Sequence, residues 1–145
     1  MTILIRSTLW KRVPAVRSVR ARAEALLEAA GLRDAGLSVL LVGDRAMRSL
    51  NRRYRGKDRT TDVLSFSFRE GQGADVQHLL LGDIVISVPT ALRQAREAGH
   101  TLYGEVDRLL VHGLLHLLGY DHERGAADDR RMRARERRLL EVLRS

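Results

Sequence analysis

The chain has 145 residues, 44% of them hydrophobic, and a formal net charge of +8. That length supports one domain with its own core, and that apolar content excludes wholesale disorder. Cysteine is absent, which excludes disulfides and thiolate metal sites and fits a cytoplasmic protein; the first ten residues show no signal-peptide pattern and no apolar run is long enough to span a membrane.

The predicted elements begin with a short strand at Ile3, Leu4 and Ile5. Val13, Val16, Val19, Ala23, Leu26, Leu27 and Ala30 then recur at helical spacing, with Pro14 near the start and Gly31 just past the end. Leu37 to Val42 reads as a buried strand. Asp44 is placed to cap a helix reaching about Arg53 with Ala46, Met47 and Leu50 inward, and Tyr54 to Thr61 is a polar loop. The stretch Val63 to Phe68 alternates as a strand, and Arg69 to Gln77 reads as a turn. A further strand lies within Leu79 to Val88; Pro89 ends it and opens a helix through Ala98. Thr101 caps a mostly buried helix ending at Gly119, and an amphipathic helix runs from about Ala126. Neither a linker nor a repeat divides the chain, so residues 1–145 form one α+β domain, a small mixed sheet of about four strands flanked by several helices.

Residues 112 to 122 read His-Gly-Leu-Leu-His-Leu-Leu-Gly-Tyr-Asp-His. His112 and His116 are four apart and project from one helix face, and a reversal at Gly119 can return His122 to the same ion. Three imidazoles without a thiolate suit one zinc ion per chain, with copper, nickel, cobalt and iron as alternatives, and leave a fourth position open, the mark of a catalytic site. The bland reading of such histidines is hydrogen-bonded core residues, but the full HxxxHxxGxxH spacing at a helix end is hard to reach by chance. It matches the zinc-peptidase pattern except that Gly113 stands where the general-base Glu belongs, which argues against proteolysis. His78 and His100 fall outside the pattern and are read as surface or loop residues.

The segment Asn51 to Phe68 (NRRYRGKDRTTDVLSFSF), the segment Leu81 to Ser87 (LGDIVIS) and the histidine segment together resemble the YbeY family of bacterial rRNA maturation factors, metal-dependent single-strand endoribonucleases. The resemblance implies a small sheet flanked by helices, zinc on His112, His116 and His122, and a functional arginine at Arg55. It also implies processing of the 16S rRNA 3′ end, ribosome quality control, an rRNA-precursor substrate, and contact with the small subunit and its assembly proteins. Thr60 and Ser67 stand where the family has proline.

Other residues carry both a functional and a structural reading. Asp121, beside His122, suits an imidazole N–H acceptor or a group acting on bound water; the proton acceptor stays open among Asp121, metal-activated water and the RNA 2′-hydroxyl. Arg55 can grip a phosphate with two prongs, and Lys57 does so more weakly. Asp62 either orients a histidine or caps a strand turn, Asp83 caps a turn at a strand start, and Glu105 either faces the histidines or pairs with Arg108. Arg124 and the arginines from Arg130 to Arg138 form either a solvated helix face or a strip for an RNA backbone. With one Trp in the chain, wide base-stacking platforms are not expected. Two other functions compete with the endoribonuclease: a zinc-stabilised assembly factor without turnover, and another zinc hydrolase such as a peptidase.

Overall fold

The computed structural model describes residues 2–68, 80–120 and 125–144. Its elements are β1 (Thr2–Ser7), α1 (Val16–Ala29), β2 (Gly36–Val42), α2 (Asp44–Arg55), β3 (Val63–Ser67), β4 (Leu80–Ser87), α3 (Val88–Ala98), α4 (Leu102–Leu117) and α5 (Ala126–Arg144). The four strands lie in the order β1-β2-β4-β3. β1, β2 and β4 run parallel, with α1 crossing from β1 to β2, while β3 pairs antiparallel with β4 along the edge. This is the α+β architecture expected, with a mixed four-strand sheet. No described helix is long and apolar enough to cross a membrane. The expected turn at Arg69 to Gln77, His78, Asp121 and His122 lie outside the described residues.

Strand alternation divides the sheet into two faces. Ile3, Ile5, Leu37, Val39, Leu41, Ile84 and Ile86 point to the larger core, where α1, α4 and α5 cover them with Leu26, Leu27, Leu109, Leu110, Leu114, Met132 and Leu139. Val42, Leu64 and Val85 point the other way and meet Met47 of α2. α2 and α4 therefore flank the β3–β4 edge from opposite faces.

Three local expectations change. The α1 face takes hold only from Val19: Val13 and Val16 are 61% and 36% exposed, Val13 because it precedes the helix and Val16 because it is the helix's first residue. α2 extends through Arg55, where Gly56 at φ 69 closes it, so Arg55 is the last residue of a helix rather than part of a loop. Asp44 does not cap α2; Gly43 holds that position and Asp44 is the first helical residue. Its carboxylate instead accepts from Ser87 Oγ and Thr90 Oγ1 at 2.6 Å each, from Thr60 Oγ1 at 3.3 Å and from Arg93 Nη2 at 2.9 Å. Asp44 thus ties the β2–α2 turn to the β4–α3 turn and to the loop before β3. Thr101 does cap α4, its Oγ1 accepting from Gly104 N at 3.0 Å.

Candidate metal and RNA site

The histidines ride on a helix pressed unusually close to the sheet. A Cβ on Gly113 would lie 2.9 Å from Ile84 Cγ2, and one on Gly82 would run into the Phe66 carbonyl oxygen and 2.9 Å from Leu117 Cδ2. Two glycines, one on α4 and one on β4, let the layers meet with backbone near side chain. Ser65 Oγ on β3 donates to Gly113 O at 3.1 Å, fixing the same turn to the edge strand. Position 113 points at Ile84, so a glutamate there has no room without a shift of helix or strand.

On the neighbouring strip of the helix, His112 Nε2 and His116 Nε2 approach to 3.1 Å, with ring centroids 4.6 Å apart. Two nitrogens on one tetrahedral ion at 2.0–2.1 Å stand roughly 3.3 Å apart, so the pair fits the bite of a single zinc. Both rings are half-buried. Just beyond them the helix ends in a Schellman turn. Tyr120 N donates to Leu115 O at 3.0 Å and Gly119 N to His116 O at 3.1 Å, with Gly119 at φ 96. The chain is reversed immediately after the second histidine, as a third ligand from the following segment requires. Among the described residues no group of three or more His, Cys, Asp or Glu gathers to hold a metal; His122 and Asp121 are outside them.

One and two turns before His112, the same α4 face carries Arg108 and Glu105. Glu105 is 1% exposed and accepts from Arg108 Nε and Nη2 and from His100 Nε2 at 2.7 Å. Burial alone would raise its pKa, but the hydrogen bonds from Arg108 and His100 outweigh that and hold it below the ordinary carboxylate range. The bond to Glu105 in turn raises Arg108. Arg108 Nη2 also reaches Asp62 Oδ2 at 3.5 Å, and the Gln94 amide nitrogen, turned toward the carboxylates, donates to Asp62 at 3.2 Å and Glu105 at 2.9 Å. Glu105 therefore pairs with Arg108, one of its two expected roles. His100 is an exposed loop histidine in the α3–α4 turn, as expected, and that turn also brings its Nε2 to Glu105. Asp62 takes its structural role, its Oδ1 accepting from Val63 N at 2.8 Å where β3 starts. Asp83 lies inside β4 opposite Phe66, not at a strand-start turn.

Arg55 is exposed at the C-terminal end of α2, and the neighbouring Tyr54 ring packs edge-on against Phe66 of β3 at 5.3 Å. Gly56 N and Lys57 N close the helix on Arg52 O and Asn51 O, and Asn51 Nδ2 donates to Arg59 O at 2.8 Å. The segment carrying Arg55, Lys57 and Arg59 is thus pinned to β3 on the face opposite α4. Ser65 and Phe66, adjacent on one strand, link the histidine helix and the arginine segment. Neither residue stood out in the sequence; serine and phenylalanine at alternating strand positions signal only a two-faced edge.

The basic surface is denser on α2 than on the last helix. Residues 44–59 hold seven cations and two carboxylates, while α5 holds seven and four. On α5, Arg131 pairs with Asp128 and Arg133 with Asp129, which favours the solvated-face reading there.

Fold and site together define a small α+β domain with an imidazole pair at a helix end beside an antiparallel edge strand, opposite an arginine-rich helix. The family model described as Endoribonuclease YbeY matches residues 10–144, and the chain belongs to that family. Relatives named Endoribonuclease YbeY include that of Anaeromyxobacter sp. (strain Fw109-5), 52% identical over 96% of this chain and 70% of its own length. That of Anaeromyxobacter dehalogenans (strain 2CP-C) is 56% identical over 86% of this chain and 63% of its own length. For Geobacter sulfurreducens the identity is 47% over 92% and 90%. Among solved structures, the solution structure of TM1509 from Thermotoga maritima matches with a TM-score of 0.67 at 27% identity, over 98% of this chain and 89% of that one.

Proposed function

We propose that this chain is an endoribonuclease that holds one zinc ion through His112, His116 and His122. The observation that carries the reading is the His112–His116 Nε2 pair at 3.1 Å, the bite of one tetrahedral ion, at a helix end whose turn sends the chain back. The relatives' shared name supplies the reaction, cleavage of RNA within the chain.

Bound zinc supplies Lewis acidity toward a phosphoryl oxygen. The chain's own residues divide the remaining work. His112 and His116 present Nε2 lone pairs and must be unprotonated to do so. Arg55 offers a planar fork to a phosphate and to the negative charge that grows on it during cleavage. Gly113 withholds a carboxylate from the site, which separates this chemistry from peptide hydrolysis. Asp121, next to His122 in sequence, suits either an imidazole N–H acceptor or a group acting on bound water, and the proton acceptor stays open among Asp121, metal-activated water and the RNA 2′-hydroxyl. The substrate in this reading is single-stranded rRNA precursor at the 16S 3′ end, in maturation and ribosome quality control, with the small subunit and its assembly proteins as cytoplasmic partners. A surplus of eight positive charges suits an RNA substrate.

The test is metal analysis of purified wild type and His116→Ala. About one zinc per wild-type chain and a loss of at least tenfold affinity in the variant are expected. Equal zinc in both would remove the site from these histidines.

A further inference from the structure

The chain's one tryptophan stands almost wholly in solvent, Trp10 being 88% exposed. Its immediate neighbour is firmly anchored. Thr8 N donates to Leu41 O at 3.0 Å, Leu9 N donates to Ser7 Oγ at 3.2 Å, and Leu9 packs on the main core. Leu9 Cδ2 would sit 3.9 Å from a Cβ on Gly43, so this segment lies against the turn that opens α2. The indole is therefore a large rigid face presented outward from a fixed point at the N-terminal end of the arginine-rich helix.

Its electrostatic surroundings are one-sided. Residues 1–23 contain six cations and no carboxylate, and Arg6, Lys11, Arg12 and Arg17 are exposed. Lys11 Nζ lies 5.7 Å from the Trp10 ring centroid. From there Arg45, Arg48, Arg52 and Arg55 recur at helical spacing along exposed α2, a ridge about 15 Å long at 1.5 Å per residue. Arg48 is paired with Asp58, its Nε donating to Oδ1 at 2.9 Å and its Nη2 to Oδ2 at 3.2 Å, so Arg45, Arg52 and Arg55 carry most of the ridge's free charge. A flat aromatic face at one end of a cationic ridge matches a polyanion that also exposes π faces, which is unpaired RNA. A protein partner fits less well, because a partner docking on Trp10 would have to be strongly acidic all along this surface.

We infer that Trp10 is a stacking platform for one unpaired base of RNA whose backbone follows Lys11, Arg12 and the α2 ridge toward Arg55. The inference rests on the endoribonuclease reading and adds a specificity-determining contact remote from the histidines. Stacking needs a free base face, so it selects single strands over duplexes without selecting sequence.

Trp10 is also the only indole fluorophore, which makes the test direct. The full chain is titrated with an end-labelled single-stranded oligoribonucleotide, an RNA duplex and inorganic polyphosphate, following indole emission and label anisotropy together. Single strands should change Trp10 emission at the concentrations where anisotropy rises, while duplex and polyphosphate leave emission unchanged. Trp10→Ala should weaken single-strand binding about tenfold, and Trp10→Phe should retain most of it. If the labelled strand binds but emission does not move and Trp10→Ala binds as wild type, the stacking role is wrong while the RNA reading survives. If no RNA binds the wild type at low salt, both fall.

Discussion

Replacing Gly113 with alanine probes the close approach of α4 to β4. The new Cβ would lie 2.9 Å from Ile84 Cγ2 and 3.1 Å from both Cδ1 and Cγ1, inside ordinary contact. Relief by shifting the helix or the isoleucine costs about 1–3 kcal/mol, by analogy with other overpacked cores. Alanine returns roughly 1 kcal/mol of helix propensity, so a net loss of about 0–2 kcal/mol is expected in the wild-type background. In an Ile84→Ala background the three contacting atoms are gone, and the same change should stabilise by up to about 1 kcal/mol. Urea unfolding of the four proteins completes a double-mutant cycle, with an expected coupling of about 1–3 kcal/mol. Coupling near zero would refute the close packing, and with it the reason that no glutamate occupies position 113.

Three further outcomes follow from the geometry. Asp44 is lowered from 3.8 to about 2, because hydrogen bonds from Ser87, Thr90 and Arg93 exceed the opposing effect of burial. A depressed carboxylate stabilises fully above its unfolded value and loses that as pH falls, so Asp44→Asn should cost about 1–2 kcal/mol at pH 7, after discounting for solvent, and should flatten the acid limb between pH 4 and 2. Glu105→Ala removes the buried carboxylate that Arg108 and His100 share, leaving Arg108 only the Asp62 carboxylate at 3.5 Å, and should cost about 1–3 kcal/mol in urea unfolding, whereas a loss below about 0.5 kcal/mol would show the network is not cohesive. Arg55 is exposed and holds no part of the core, so Arg55→Lys should leave the melting temperature within about 1 °C yet slow RNA cleavage by about tenfold or more; an unchanged rate would detach Arg55 from the phosphate.

The periodic parts of the fold were legible because burial and spacing speak together. Thr101, the leucines of α4 and Gly119 announced one helix from cap to reversal, and the structure has all three there. Pro89 marked the β4–α3 junction for the same reason, since its ring suits a first helical turn. What stayed hidden depends on contacts between distant segments. Asp44 looks like an N-cap from its neighbours, and only the return of β4 shows that Ser87, Thr90 and Arg93 claim it. His100 is the loop residue it looks like, but its partner Glu105 shows only once α4 is in place. Gly113 was read chemically, as a missing base; its packing reason lies in Ile84, 29 residues earlier in the chain. Val13 and Val16 continue the α1 spacing, but periodicity cannot say where a helix starts to meet the sheet. For the site, the i,i+4 rule brought His112 and His116 together, whereas the strand that links them to the arginine segment emerged only with the sheet order.

A catalytic role for the histidine site is tested most directly by the cleavage of RNA itself. Wild type and His116→Ala, prepared side by side, should be incubated with end-labelled single-stranded rRNA fragments and their products compared. Discrete fragments with wild type and none with the variant are predicted; the same fragments from both proteins would contradict the account.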